Sequence, residues 1–168
     1  HQAGGVLRYG IPDFRLPNSI VDAELAKIEQ LGVRFECNTL VGRLFTIEQM
    51  LTEMGFAAVF IGTGAPKGKD LEIPGRKEAA ANIHIGIDWL TSVAFEHVHT
   101  VGRRVVVIGG GNTAMDCCRT ALRLGGMNVT VTVRSPRRVM KASAWEIEDA
   151  EHEGIPILDN HAPKEFIV

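Results

Sequence analysis

The residues whose types and spacing carry the clearest chemistry are Gly109, Gly110, Gly111 and Ala114. They lie in the run Val105-Val106-Val107-Ile108-Gly109-Gly110-Gly111-Asn112-Thr113-Ala114-Met115-Asp116. An apolar β-branched run that breaks into glycines and continues as a helix former is the pattern of a dinucleotide-binding turn. In that pattern Gly109 permits a sharp turn after the strand, Gly111 lets backbone approach a pyrophosphate, and Ala114 lets helix and strand pack closely. The helix that begins near Asn112 would point its free N–H groups and positive dipole end at the phosphates. A bare G-x-G-x-x-A is a weak signal, because glycine turns are common in α/β proteins that bind nothing. The flanking sequence strengthens it.

After the glycines, Ala114, Met115, Cys118, Ala121, Leu122 and Leu124 supply an apolar helical face that stops at Gly125-Gly126. Val129-Thr130-Val131-Thr132-Val133 is dense in β-branched residues and reads as a second parallel strand, which places Arg134 at its carboxyl end. That position selects the cofactor: a carboxylate accepts from the ribose 2'-hydroxyl of NAD, whereas a cation favours the 2'-phosphate of NADP. Here Arg134 is followed by Arg137, Arg138 and Lys141, with no carboxylate before Glu146. The reading is NADP(H), although a basic loop of this kind also serves as solvated surface.

The elements needed to position this turn follow from periodicity. Asn18 or Ser19 can cap a helix with Val21, Leu25, Ile28 and Leu31 on one face, ended by Gly32, after which Val33, Phe35 and Cys37 alternate as in a strand. Thr46-x-x-Gln49 is a capping-box pattern ahead of Met50, Leu51 and Met54. Residues 56–61 form an apolar run of buried-strand type that enters the turn Gly62-Thr63-Gly64-Ala65-Pro66. A surface loop over 66–81 and a helix over 85–99 lead to a domain boundary near residue 100. Residues 144–153 are helix-forming, with Ala150-Glu151-His152-Glu153 read as a solvated face, and 155–158 are strand-like. This alternation predicts an α/β protein with a Rossmann-like three-layer parallel sheet.

Motifs beyond the glycine turn point to a family. Gly4-Gly5-Val6-Leu7-Arg8-Tyr9-Gly10-Ile11-Pro12-Asp13-Phe14-Arg15-Leu16-Pro17, then Val59-Phe60-Ile61-Gly62-Thr63-Gly64-Ala65, then Ile73-Pro74-Gly75 precede the dinucleotide turn in that order. Together they resemble the small (beta) subunit of NADPH-dependent glutamate synthase and its relatives. Among these are the flavin portion of dihydropyrimidine dehydrogenase and the flavoprotein subunits of bifurcating ferredoxin-NADP oxidoreductases. The resemblance implies hydride transfer from NADPH to FAD, with electrons passing on through iron-sulfur clusters. It implies an incomplete FAD-binding part over residues 1–100 and an incomplete NAD(P)-binding part over 101–168. It also implies a partner in the form of an iron-sulfur domain or an acceptor like the glutamate synthase large subunit.

By the same resemblance, Gly4, Gly5, Val6, Arg15 and Val41 fall at the FAD site; Gly62, Thr63 and Gly64 read from their own turn as a second place where backbone lies close to a ligand, or as a tight strand-to-loop turn. Gly110, Gly111, Asn112 and Thr113 fall at the nucleotide turn, and Arg134, Ser135 and Lys141 at the 2'-phosphate pocket. One departure is that Arg134 is followed by Ser135-Pro136 where many relatives have a second basic residue, a loss that Arg137 or Arg138 is placed to replace. No catalytic residue is expected, because nicotinamide and flavin supply the chemistry and the protein aligns them.

Composition excludes other classes. With 18 Lys and Arg against 20 acids and a net charge of −2, nucleic-acid binding has no support. No apolar run reaches the length of a membrane span, so a cytoplasmic location is the default. The three cysteines, Cys37, Cys117 and Cys118, form neither a disulfide framework nor a C-x-x-C pair, and His97-x-His99 lacks further metal ligands nearby. The absence of an upstream FAD glycine motif suggests a fragment with weak NADPH binding, no turnover and a tendency to self-associate through open sheet edges. The alternative, from another class, is a nucleotide-binding regulatory or interaction module without redox turnover.

Overall fold

A computed structural model of the chain describes residues 2–167. The first part carries helices α1 (Val6–Tyr9), α2 (Asn18–Gln30), α3 (Ile47–Thr52) and α4 (Gly86–Ala94). There follows an unbroken alternation of β1 (Arg104–Ile108), α5 (Asn112–Arg123), β2 (Asn128–Thr132), α6 (Ala144–His152) and β3 (Ile157–Leu158). The three strands form one parallel sheet in the order β1-β2-β3. Arg104 stands opposite Asn128 and Ile108 opposite Thr132, while Val131 and Thr132 pair with Ile157 and Leu158.

Strand alternation sorts the side chains onto two faces. Val105, Val107, Val129 and Val131 turn towards α5 and α6, where they join Met115, Cys118, Ala121, Ile147, Ala150 and Ile155 in the core. Met115, Cys118, Val131 and Ala150 are completely enclosed. The opposite face carries Val106 and Ile108, which are 63% and 44% exposed. The expected α/β architecture with a parallel sheet is therefore present. Its strands and helices in the second half lie within two residues of the expected bounds.

Two expected strands do not form. An apolar run becomes a strand only when a neighbouring backbone takes up its N–H and C=O groups. Among the described residues neither 33–37 nor 56–61 joins a ladder, and both remain irregular chain. Their side chains are correspondingly open, Phe60 being 95% and Ile61 66% exposed.

Helix ends were more legible. The Thr46 hydroxyl accepts from the Gln49 amide at 3.1 Å and the Gln49 side chain accepts from the Thr46 amide at 3.0 Å, completing the capping box of α3. Helix α4 is shorter than the expected 85–99, and its termination has a local cause. The Glu96 amide donates to the Val93 carbonyl at 2.9 Å and the His97 amide to the Ser92 carbonyl at 2.8 Å, the paired bonds of a Schellman motif. That motif puts Glu96 at φ 58°, a left-handed conformation that penalises any residue with a Cβ. Glu96→Gly should therefore raise stability by about 1 kcal/mol in urea unfolding, with an unchanged denaturant slope.

Candidate nucleotide-binding site

The glycine turn begins where β1 ends. The Gly109 amide donates to the Thr132 carbonyl at 3.0 Å, carrying the ladder one residue beyond the strand. Gly109 adopts φ 154°, and a methyl group there would lie 3.4 Å from the Ala114 Cβ, so the first and last positions of the fingerprint touch each other. A methyl at Gly110 would lie 2.7 Å from Val133 Cγ1, inside contact distance. Nothing stands within 4 Å of where a Gly111 Cβ would be. The turn thus uses its glycines differently: Gly110 is required by packing, whereas Gly111 borders open space in front of α5. No side chain caps that helix; the Ala114 amide donates to the Gly111 carbonyl at 2.9 Å, which leaves the amides of Asn112 and Thr113 for solvent or a ligand.

The basic loop is fastened to this turn. The Gly110 carbonyl accepts from the amides of both Lys141 and Ala142 at 2.9 Å. One step further on, the Ser143 amide donates to Asn112 Oδ1 at 2.8 Å. The side-chain carbonyl of Asn112, a residue of the nucleotide turn, is thereby engaged in holding the loop. Thr113 is exposed at the start of α5. Arg134, Arg138 and Lys141 are exposed and enter no ion pair among the described residues. Ser135 is half-buried, and its carbonyl accepts from the Asn160 amide at 3.3 Å. Arg137 behaves otherwise: both guanidinium nitrogens meet the Glu151 carboxylate, whose hydrogen bond holds Arg137 above the ordinary arginine range. Its amide also donates to Asp159 at 2.8 Å. Arg137 is therefore committed to α6, and Arg138 is the remaining replacement for the second basic residue.

Below the turn, the facing sides of α5 and α6 are charged and buried. Asp116, Arg119 and Glu146 are between 3% and 8% exposed. Arg15, 101 positions upstream of Asp116, donates to the Asp116 carboxylate at 2.6 Å and also pairs with Glu146. Arg119 reaches Glu146 at 3.4 Å, Asp149 at 3.0 Å and Glu153 at 2.9 Å, and Arg123 reaches Glu153 at 2.7 Å. The Phe14 ring lies beneath the guanidinium groups of Arg119 and Arg123, 5.0 and 3.9 Å from its centroid. Burial pushes the Asp116 carboxyl above the ordinary aspartate range, against the opposing pull of the Arg15 hydrogen bond. The Arg123 hydrogen bond holds Glu153 below the ordinary glutamate range against burial, with Arg119 acting in the same direction. Glu153, read as part of a solvated face, is thus half-buried and doubly paired. The sequence signal for this seam is weak, an Arg119 three residues after Asp116 on one helix.

The residues expected at the flavin are less gathered. Gly5 caps α1 and Val6 opens it, while a methyl at Gly4 would lie 3.0 Å from Val21 Cγ1. Val41, Gly62, Thr63 and Gly64 lie on exposed backbone, and Gly5 and Gly64 have open space where a Cβ would stand. These positions leave room for a ligand without enclosing one. Cys117 and Cys118 are buried, which pushes each thiol up to about 12 and keeps both protonated and unreactive. Among the described residues no group of three or more His, Cys, Asp or Glu side chains is arranged to hold a metal, His97 and His99 included.

Residues 27–168 match the family model described as pyridine nucleotide-disulphide oxidoreductase. The chain belongs to that family. It is 37% identical over 172 residues to the glutamate synthase [NADPH] small chain of Halomonas elongata, covering 96% of this chain and 36% of that protein. It is 36% identical over 163 residues to a homolog of the NAD-dependent dihydropyrimidine dehydrogenase subunit PreT from Salmonella typhi, covering 96% of this chain and 38% of the relative. The chain thus spans little more than a third of the length of these curated relatives. Among solved structures, FprA from Mycobacterium tuberculosis superimposes with a TM-score of 0.71 over 98% of this chain and 52% of its own, at 20% identity. That likeness supports the fold. No helix among the described residues is long and apolar enough to cross a membrane.

Methyl scanning separates the two roles of the glycines. Gly110→Ala should destabilise the fold by about 1–3 kcal/mol in thermal or urea unfolding, through overpacking against Val133. Gly111→Ala should leave the unfolding midpoint within about 0.5 kcal/mol of the parent, because its methyl enters open space.

Proposed function

We propose that this chain supplies the NADP(H)-binding turn, and part of the flavin-binding region, of an oxidoreductase that passes hydride from NADPH to FAD and electrons onward to iron-sulfur centres. The single observation that carries the reading is the clasp of Gly110 and Asn112 onto residues 141–143. It ties the loop carrying Lys141 to the start of α5, a helix without a side-chain cap, and Arg134 and Arg138 precede that clasp in the sequence as exposed cations. The residues present fit the dinucleotide: backbone amides for the pyrophosphate, and unpaired cations for a 2'-phosphate.

Our reading favours NADP over NAD, a choice on which the relatives' names differ. A carboxylate in reach of the 2'-position would repel the phosphate, and two of the acids on α6 are engaged by arginines. Glu151 is paired with Arg137, and Glu146 is paired with Arg15 and Arg119. The basic loop therefore presents net positive charge where a phosphate dianion would sit.

Bound nicotinamide and flavin supply the hydride chemistry. The chain's own residues bind and orient. Gly109 and Ala114 bring α5 close to the sheet, Gly111 leaves room for the diphosphate, and the loop cations fix the adenosine end. The acceptor is proposed as an iron-sulfur domain or a large-subunit-like protein, in line with the subunit names of the relatives.

Titrating the full-length, FAD-containing protein with NADPH under anaerobic conditions tests this reading. Bleaching of the flavin absorbance is expected, and an unchanged spectrum in protein shown to hold FAD would refute it.

A further inference from the structure

The loop after β2 carries Arg134 and Ser135 and then closes one short 3-10 turn, Arg137–Val139. In that turn the Val139 amide donates to the Pro136 carbonyl at 3.0 Å and the Met140 amide to the Arg137 carbonyl at 3.1 Å. The far end of the loop is clasped to the glycine turn through Lys141 and Ala142. The near end is held by a different part of the chain, the residues that follow β3.

Four contacts make this second attachment. The Val133 amide donates to the Leu158 carbonyl at 2.9 Å, and the His161 amide donates to the Val133 carbonyl at 2.9 Å. The Asn160 amide donates to the Ser135 carbonyl at 3.3 Å, and the Asp159 carboxylate accepts from the Arg137 amide at 2.8 Å. Asn160 adopts φ 56°, a left-handed conformation that Asn tolerates better than most residues.

Three of these contacts are backbone bonds, open to almost any residue type at those positions. Only the one made by Asp159 depends on a side chain. The residue ahead of the 3-10 turn is Pro136, which has no side-chain acceptor to offer its first amide. Asp159 supplies that acceptor from 22 positions away, taking the part that a capping residue ordinarily plays from next door.

We propose that Asp159 is a positioning residue for recognition of the 2'-phosphate, its carboxylate capping the loop so that Arg134 and Ser135 are ordered before the nucleotide arrives. The inference rests on the NADP(H) reading above. A loop that holds its binding shape for only part of the time binds more weakly in that proportion. The glycine turn has its own attachments, to Thr132 and to residues 141 and 142, so loss of the cap falls on the 2'-phosphate and spares a ligand without one. The charge of Asp159 by itself would oppose a phosphate dianion. Cap and charge therefore act in opposite directions, and substitutions can separate them.

The test measures calorimetric Kd values for 2',5'-ADP and 5'-AMP in the full-length, FAD-loaded protein carrying Asp159→Ala or Asp159→Asn. Asp159→Ala should weaken 2',5'-ADP about fivefold, the scale of a lost cap, and leave 5'-AMP within twofold of the parent. Asp159→Asn, whose amide oxygen can accept the same bond, should stay within twofold for both ligands. Unchanged or tighter binding of 2',5'-ADP in Asp159→Ala would overturn the positioning role, as would equal weakening of both ligands, which marks a general structural effect. A loss in Asp159→Asn as large as that in Asp159→Ala would trace the effect to charge and overturn the cap. A parent protein that does not prefer 2',5'-ADP over 5'-AMP would refute the NADP(H) reading itself and remove the positioning role with it.

Discussion

Two carboxylates, Asp116 and Glu146, are buried on facing helices, and the Arg15 guanidinium that bridges them is the contact on which the second half of the molecule depends. Burying an ionised carboxylate is costly unless a cation and further hydrogen bonds compensate it. Removing one partner of such a pair costs about 3–5 kcal/mol, a large share of the 5–15 kcal/mol that holds a domain together. Arg119 shares the load by reaching Glu146, Asp149 and Glu153, so that α5 and α6 are joined by charge on one side and by Met115, Cys118, Ile147 and Ala150 on the other.

That arrangement fixes α5, and α5 fixes the nucleotide turn. The helix packs on β1 and β2 and contacts both α4 and α6. Its first residues then present the glycine turn, and Asn112 reaches across to hold the end of the basic loop. The short distance between Gly109 and Ala114 requires α5 to sit close to the sheet, while Gly110 must remain small beside Val133. The apolar core, the ionic seam and the loop clasp therefore act on one helix. The loop after β2 carries Arg134, Arg138 and Lys141, which are exposed and enter no ion pair among the described residues, and the Lys141 amide ties that loop to Gly110.

Local chemistry was readable in the sequence wherever it alone decides the structure. The glycine turn, the capping box at Thr46 and Gln49, the helix stop at Gly125 and the parallel strands after residue 100 all depend on neighbouring residues and short periodicities. The rest depends on partners distant along the chain. Residues 33–37 and 56–61 have strand composition, but composition supplies no neighbouring backbone, and they remain irregular. Arg15 and Asp116 are 101 positions apart, so nothing local announces their pairing. Arg137 looked equivalent to Arg138 in sequence; only the position of Glu151 on α6 separates a committed cation from a free one. The Schellman end of α4 at Glu96 has no sequence signature, because its left-handed residue is not glycine.

The central claim is that the glycine turn and the basic loop together read a 2'-phosphate. Its most direct measurement is calorimetric binding of 2',5'-ADP and of 5'-AMP to the FAD-loaded full-length protein, before and after Arg134→Ala and Lys141→Ala. The account predicts that 2',5'-ADP binds at least tenfold tighter, about 1.4 kcal/mol, and that the substitutions abolish the difference. Equal affinity for the two ligands in the parent protein, or a preference that survives removal of both cations, would contradict it.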